Sequence, residues 1–73
     1  MSDKSKLVFI KIYEEYQDRL KRGMNKGCNA FNKDKFFKKF NYSNDEIENI
    51  LDELKNYGLI EKWISGDFAI KIE

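Results

Sequence analysis

The chain has 73 residues, a net charge of +1, 41% hydrophobic residues, no Pro, no His and a single Cys. A chain this short is one domain, 1–73, and buries only about 60% of the surface its unfolded form exposes, so its six Phe, four Tyr and one Trp must be well placed. No run of about 18 apolar residues exists, which excludes a membrane-spanning segment, and Lys11, Glu14 and Glu15 break up the first apolar stretch before it could serve as a signal peptide. A cytoplasmic protein is expected, with no membrane partner.

Cys28 cannot form an internal disulfide, and without His there is no zinc-ligand set. It reads as a small, partly buried side chain, since no imidazole is present to activate it. The missing His also removes the commonest general base. The four Gly, at 23, 27, 58 and 66, are scattered and make no phosphate loop. These absences argue against an enzyme and against a cofactor or metal, and leave binding. The charge is unevenly spread: residues 1–40 carry eleven Lys/Arg against five Asp/Glu, and residues 41–73 carry three against eight.

The first periodic segment predicts a helix over about 4–22, with Phe9, Ile12, Tyr13, Tyr16 and Leu20 as its inward stripe. Gly23 is a left-handed stop after the basic pair Lys21 and Arg22. Leu7 and Ile10 fall off that stripe. They are expected to pack into the core under the C-terminal hairpin, with a dimer contact as the alternative. Residues 24–30 read as a connection, in which Cys28–Ala30 forms a very short strand.

Asn32 is a good N-cap for a second helix over about 33–40, with Phe31 and Phe36 placed as a hydrophobic staple and Phe36, Phe37 and Phe40 inward. After a turn of two or three residues, Ser43 and Glu46 match a capping box for a third helix over about 44–57, stapled by Tyr42 and Ile47. Ile47, Ile50, Leu51 and Leu54 form its apolar face. Gly58 closes it, with Leu59 folding back on Leu54. The tail, about 59–72, reads as a β-hairpin around a three-residue loop, Ser65-Gly66-Asp67. That register pairs Ile64 with Phe68, Trp63 with Ala69, Glu61 with Lys71 and Ile60 with Ile72. It gathers Ile60, Ile64, Phe68, Ile70 and Ile72 on one face, where Lys62 is the only intruder.

Helix, short strand, helix, tight turn, helix and hairpin is the element order of an α+β winged helix. The run Ile50-Leu51-Asp52-Glu53-Leu54-Lys55-Asn56-Tyr57-Gly58-Leu59-Ile60, with a hairpin ending Phe68-Ala69-Ile70, resembles the third helix and wing of small bacterial, archaeal and phage regulators of the winged helix-turn-helix superfamily. The resemblance spans Asn32–Ile72 and rests on packing and capping residues. It implies a third helix in the major groove of DNA, a wing on the flanking backbone, and a second helix whose start approaches phosphates. Abundant Lys, Asn and Ile without Pro suit an AT-rich genome or a mobile element.

Two functions follow. The first is a small DNA-binding protein of a prokaryote or mobile element, a transcriptional regulator or accessory factor, which contacts double-stranded DNA through Lys26, Lys33, Lys35, Asn44, Asn49 and Lys62, with a homodimer as one expected form. Here Asn49 is suited to an adenine edge and the lysines to phosphates. Against it stands the third helix, whose Asp45, Glu46, Glu48, Asp52 and Glu53 face only Lys55, a net −4. The second is a protein-interaction winged helix, in which Asp45, Glu48 and Asp52 meet a basic partner or mimic nucleic acid. Trp63 is then its anchor rather than a cover over the core edge. Solvated charge, with no ligand at all, is the ordinary role of each lysine.

Overall fold

A computed structural model describes residues 1–23 and 29–71. The predicted contacts of Lys26, the pairing of Ile72 and the Cys28 end of the short strand lie outside the described residues. The protein is α+β, with three helices and a small antiparallel sheet of three strands.

Helix α1 spans Asp3–Lys21, starting where the Ser2 side chain accepts from the Ser5 N–H. It ends where Gly23 turns left-handed, at φ 82°. Its buried positions are Ser5, Val8, Ile12 and Tyr16. The inward stripe is therefore rotated from the expected one toward Ser5 and Val8. Phe9 and Leu20 are half-buried at its edge, and Tyr13 is 49% exposed, beside Phe9. Small Ser5 faces the crossing with the third helix, where Ser2 and Glu53 meet it. Leu7 and Ile10 are not in the core: they are 45% and 52% exposed, on the side of α1 turned away from it.

Strand β1, Ala30–Phe31, leads into helix α2, Lys33–Phe37. Asn32 caps α2 by accepting from the Lys35 N–H at 3.0 Å. The Phe31 and Phe36 rings meet edge-on at 5.6 Å, as the staple predicts. This helix stops three residues before the expected Phe40. The Phe40 N–H donates to the Phe37 carbonyl, which tightens the chain into a turn. Phe40 is half-buried against Phe36, Phe37 and Tyr42.

Helix α3, Asn44–Asn56, carries both halves of the capping box between Ser43 and Glu46. At its other end the Leu59 N–H donates to the Leu54 carbonyl and the Gly58 N–H to the Lys55 carbonyl. These are the two bonds of a Schellman end. Ile47, Ile50, Leu51 and Leu54 are buried, as their spacing requires.

Strands β2, Ile60–Lys62, and β3, Phe68–Ile70, form the hairpin, and β3 is central in the order β1-β3-β2. The register differs from the expected one. Ile60 lies opposite Ile70, Glu61 opposite Ala69 and Lys62 opposite Phe68. The loop is still three residues long, but it is Ile64-Ser65-Gly66. The Trp63 N–H donates to the Asp67 carbonyl, the Gly66 N–H donates to the Trp63 carbonyl, and Gly66 sits at φ 94°. A loop of this kind puts its left-handed residue third, and Gly66 can be third only if the loop begins at Ile64. Moving the loop by one residue changes every partner by two. The inward face is thus kept, but Ile64 goes to the loop tip, fully exposed. Glu61 no longer faces Lys71, and Trp63 no longer faces Ala69. Among the described residues, no helix is long and apolar enough to cross a membrane.

Candidate functional site

The third helix sorts its polar side chains by face. Asp45, Asn49, Asp52 and Asn56 follow the spacing of one ridge, opposite the buried Ile47, Ile50, Leu51 and Leu54, and all four are exposed. Glu46 and Glu53 lie on the flank toward α1. Lys4 pairs with Glu46, and the Ser2 N–H donates to Glu53 at 2.8 Å. Both carboxyls are held below the usual value. For Glu46 the main cause is the bond from Lys4, followed by the Ser43 N–H; for Glu53 it is the Ser2 N–H, followed by the Ser5 hydroxyl.

Glu48 lies on the opposite flank, facing α2 and the hairpin. Its Oε1 accepts from Lys33 Nζ at 3.0 Å and its Oε2 from Lys62 Nζ at 2.9 Å. Lys62 Nζ also reaches Asp52 Oδ1 at 2.7 Å. These bonds hold the Glu48 carboxyl below its usual range, with Lys62 the larger cause and Lys33 the next. Lys62 is raised in turn, first by Asp52 and then by Glu48.

The position of Lys62 in an otherwise apolar row now has a physical reason. The row faces inward along Ile60, Phe68 and Ile70. At its outer end the Lys62 side chain, largely covered, delivers its ammonium to Glu48 and Asp52 of α3. Lys33 is held at the same junction: its backbone N–H lies 3.4 Å from Asp67 Oδ1, and Gly66 leaves room beside its Nζ.

The structure thus brings together Lys33, Lys62, Glu48 and Asp52, residues that the two expected functions had assigned to different ligands. Asn44 and Asn49 are both exposed on α3, and Asn49 borders a depression on the α1 flank with Lys4, Glu46 and Glu53, not the lysine cluster. Lys35 is not part of it. It borders a shallow depression with Glu15, Arg19, Phe31 and Lys39, on the side of α2 nearer α1. Asp45 makes no ion pair among the described residues. Trp63 is 47% exposed and, with Ile64, forms the apolar tip of the hairpin. The internal ion pairs are what the sequence reading missed. Their signal in the sequence is Lys62 itself, the single charge in an otherwise apolar row of the hairpin.

Compared with known proteins, the chain matches no family model, no curated protein and no solved structure.

Proposed function

We propose that this is a cytoplasmic winged-helix protein that binds double-stranded DNA, as a regulator or accessory factor of a prokaryote or mobile element. The observation that carries the reading is the sorting of the α3 carboxylates. Four of the five are engaged on the two flanks or by Lys62, and the outer ridge alternates Asp45 and Asp52 with Asn49 and Asn56. A helix that presents this ridge, bordered by lysines from α2 and the hairpin, meets a phosphate backbone with far less repulsion than its net −4 suggests. Lys35 supplies a phosphate contact directly, Lys33 and Lys62 do so by exchanging their carboxylate partners for phosphate, and Asn49 supplies a base edge. The exposed Leu7 and Ile10 on α1 are the proposed homodimer contact, since paired half-sites raise affinity and specificity.

Fluorescence anisotropy with random and AT-rich duplexes tests this. Binding is expected at micromolar concentration in low salt, weakening steeply as salt is raised. Lys35→Glu is expected to weaken it several-fold without loss of fold, because Lys35 makes no ion pair among the described residues. No binding even at low salt ends the DNA reading.

One observation favours a second reading, a protein partner of basic character. The hairpin tip exposes Trp63 and Ile64 together, and exposed Trp is enriched at protein-binding hot spots. Under this reading Asp45, Glu48 and Asp52 supply charge and Trp63 the anchor.

A further inference from the structure

We propose that Lys33 and Lys62 form a binding site for a phosphate group, and that Glu48 occupies it in the free protein. Two ammonium groups from separate elements, α2 and β2, converge on the two oxygens of one carboxylate of a third, α3, at 3.0 and 2.9 Å. A carboxylate and a phosphate present paired oxygens with a similar bite, so the cradle that holds one accepts the other. The lysine side chains are only 29% and 23% exposed, which means both are held in place rather than sweeping through solvent. Glu48 is 45% exposed and has no hydrogen-bond partner besides these two lysines among the described residues. Its side chain can therefore swing out without breaking any other bond.

The exchange is also energetically easy. Glu48, the more exposed partner, gives up only these two ion pairs when it leaves, whereas a phosphodiester brings a full charge and polyelectrolyte counterion release. Asp52 must be counted as well, because it holds Lys62 at 2.7 Å and competes for the same ammonium. Glu48 then acts as an internal competitor. It sets the affinity of this face for phosphate and keeps two lysines from binding anions indiscriminately.

The site itself stands on the cluster geometry, and only its use on duplex DNA rests on the function proposed above. Titration with inorganic pyrophosphate, followed by amide ¹H–¹⁵N shifts, tests the site without DNA. Glu48→Gln is expected to bind at least ~10-fold tighter than the unchanged protein, with shifts clustered at Lys33, Lys62 and Gly66, and adding Lys33→Gln should remove the gain. Asp52→Asn frees only part of Lys62 and is expected to give a smaller gain in the same residues, so the test survives a Glu48→Gln protein that fails to fold. Equal binding by all variants, or shifts elsewhere, overturns the proposal.

The same variants on a random duplex separate the two claims. Tighter binding by Glu48→Gln, with a salt slope steeper by roughly 1 per phosphate gained, supports both. Duplex binding unaffected by Glu48→Gln overturns the use of this site on duplex DNA and leaves the DNA reading standing. Pyrophosphate binding that tightens as expected, with no duplex binding in any variant, overturns the DNA reading and leaves the phosphate site standing.

Discussion

Gly66 controls the hairpin through its backbone. At φ 94° it occupies a conformation that costs an L-residue roughly 1–2 kcal/mol, while the space beside it is open apart from Lys33 Nζ, 3.8 Å from where a Cβ would stand. Gly66→Ala is therefore expected to destabilise the protein by about 1–2 kcal/mol in urea unfolding. Gly66→Asn should cost less, because Asn tolerates the left-handed region. If Ala and Asn prove equally harmless, the loop does not place residue 66 third and the register is wrong. Lys62 depends on this residue as well. A loop beginning one position later would pair Lys62 with Ile70 and draw its ammonium away from Glu48.

The third helix is tied to the rest of the protein by charges on both flanks, and this gives its docking a pH dependence. Glu48 is depressed below the ordinary 4.5 by Lys62 and then Lys33. Its contribution is thus present above about pH 4.5 and lost as pH falls through the lower folded value. Lys62 is raised above 10.5 by Asp52 and then Glu48, so its contribution holds below about pH 10.5 and is lost as pH rises through the folded value. Both side chains reach solvent, which limits the stability gap between the unchanged protein and Glu48→Gln to under about 1 kcal/mol at pH 7. That gap should narrow progressively as pH falls below 4.5 and the Glu48 carboxyl takes up a proton. A gap that does not narrow would assign the effect of Glu48 to helix propensity or packing instead of the ion pairs.

Elements of this kind were legible in the sequence to different depths. The Asn32 and Ser43 caps, the Gly58 end and the buried face of α3 are set by contacts within a few residues, and they appear where the spacing puts them. The inward stripe of α1 depends on where α3 crosses it. The helical spacing of apolar side chains favoured Tyr13, while the crossing selects Ser5 and Val8. The hairpin register required the handedness of Gly66, which alternation of apolar residues cannot supply, because a shift of two preserves the alternation. The Lys33–Glu48–Lys62 cluster joins three elements and depends on all of them being placed. The sequence shows its members and their charge, but not that they meet.

At the scale of the whole molecule, stability converges on Phe68. It is fully buried in the central strand, stacked on Phe31 at 5.4 Å and edge-on to Phe36 at 5.6 Å. Phe37 lies beyond at 6.1 Å. One ring therefore joins β1, α2 and the hairpin, and the opposite residue on β2 is Lys62. A chain of this size has roughly 4–11 kcal/mol of stability in total, and truncating a buried Phe to Ala costs about 3–5. Phe68→Ala should then remove roughly a quarter or more of the stability, or abolish folding, while Phe68→Leu should cost nearer 1–1.5 kcal/mol by keeping most of the volume. Helical circular dichroism and Trp63 fluorescence, followed through urea, are expected to shift together in Phe68→Leu, because the hairpin and the helices share this core. If the fluorescence transition moved alone, the hairpin would be a separate unit, and Lys62 could leave α3 without unfolding the rest.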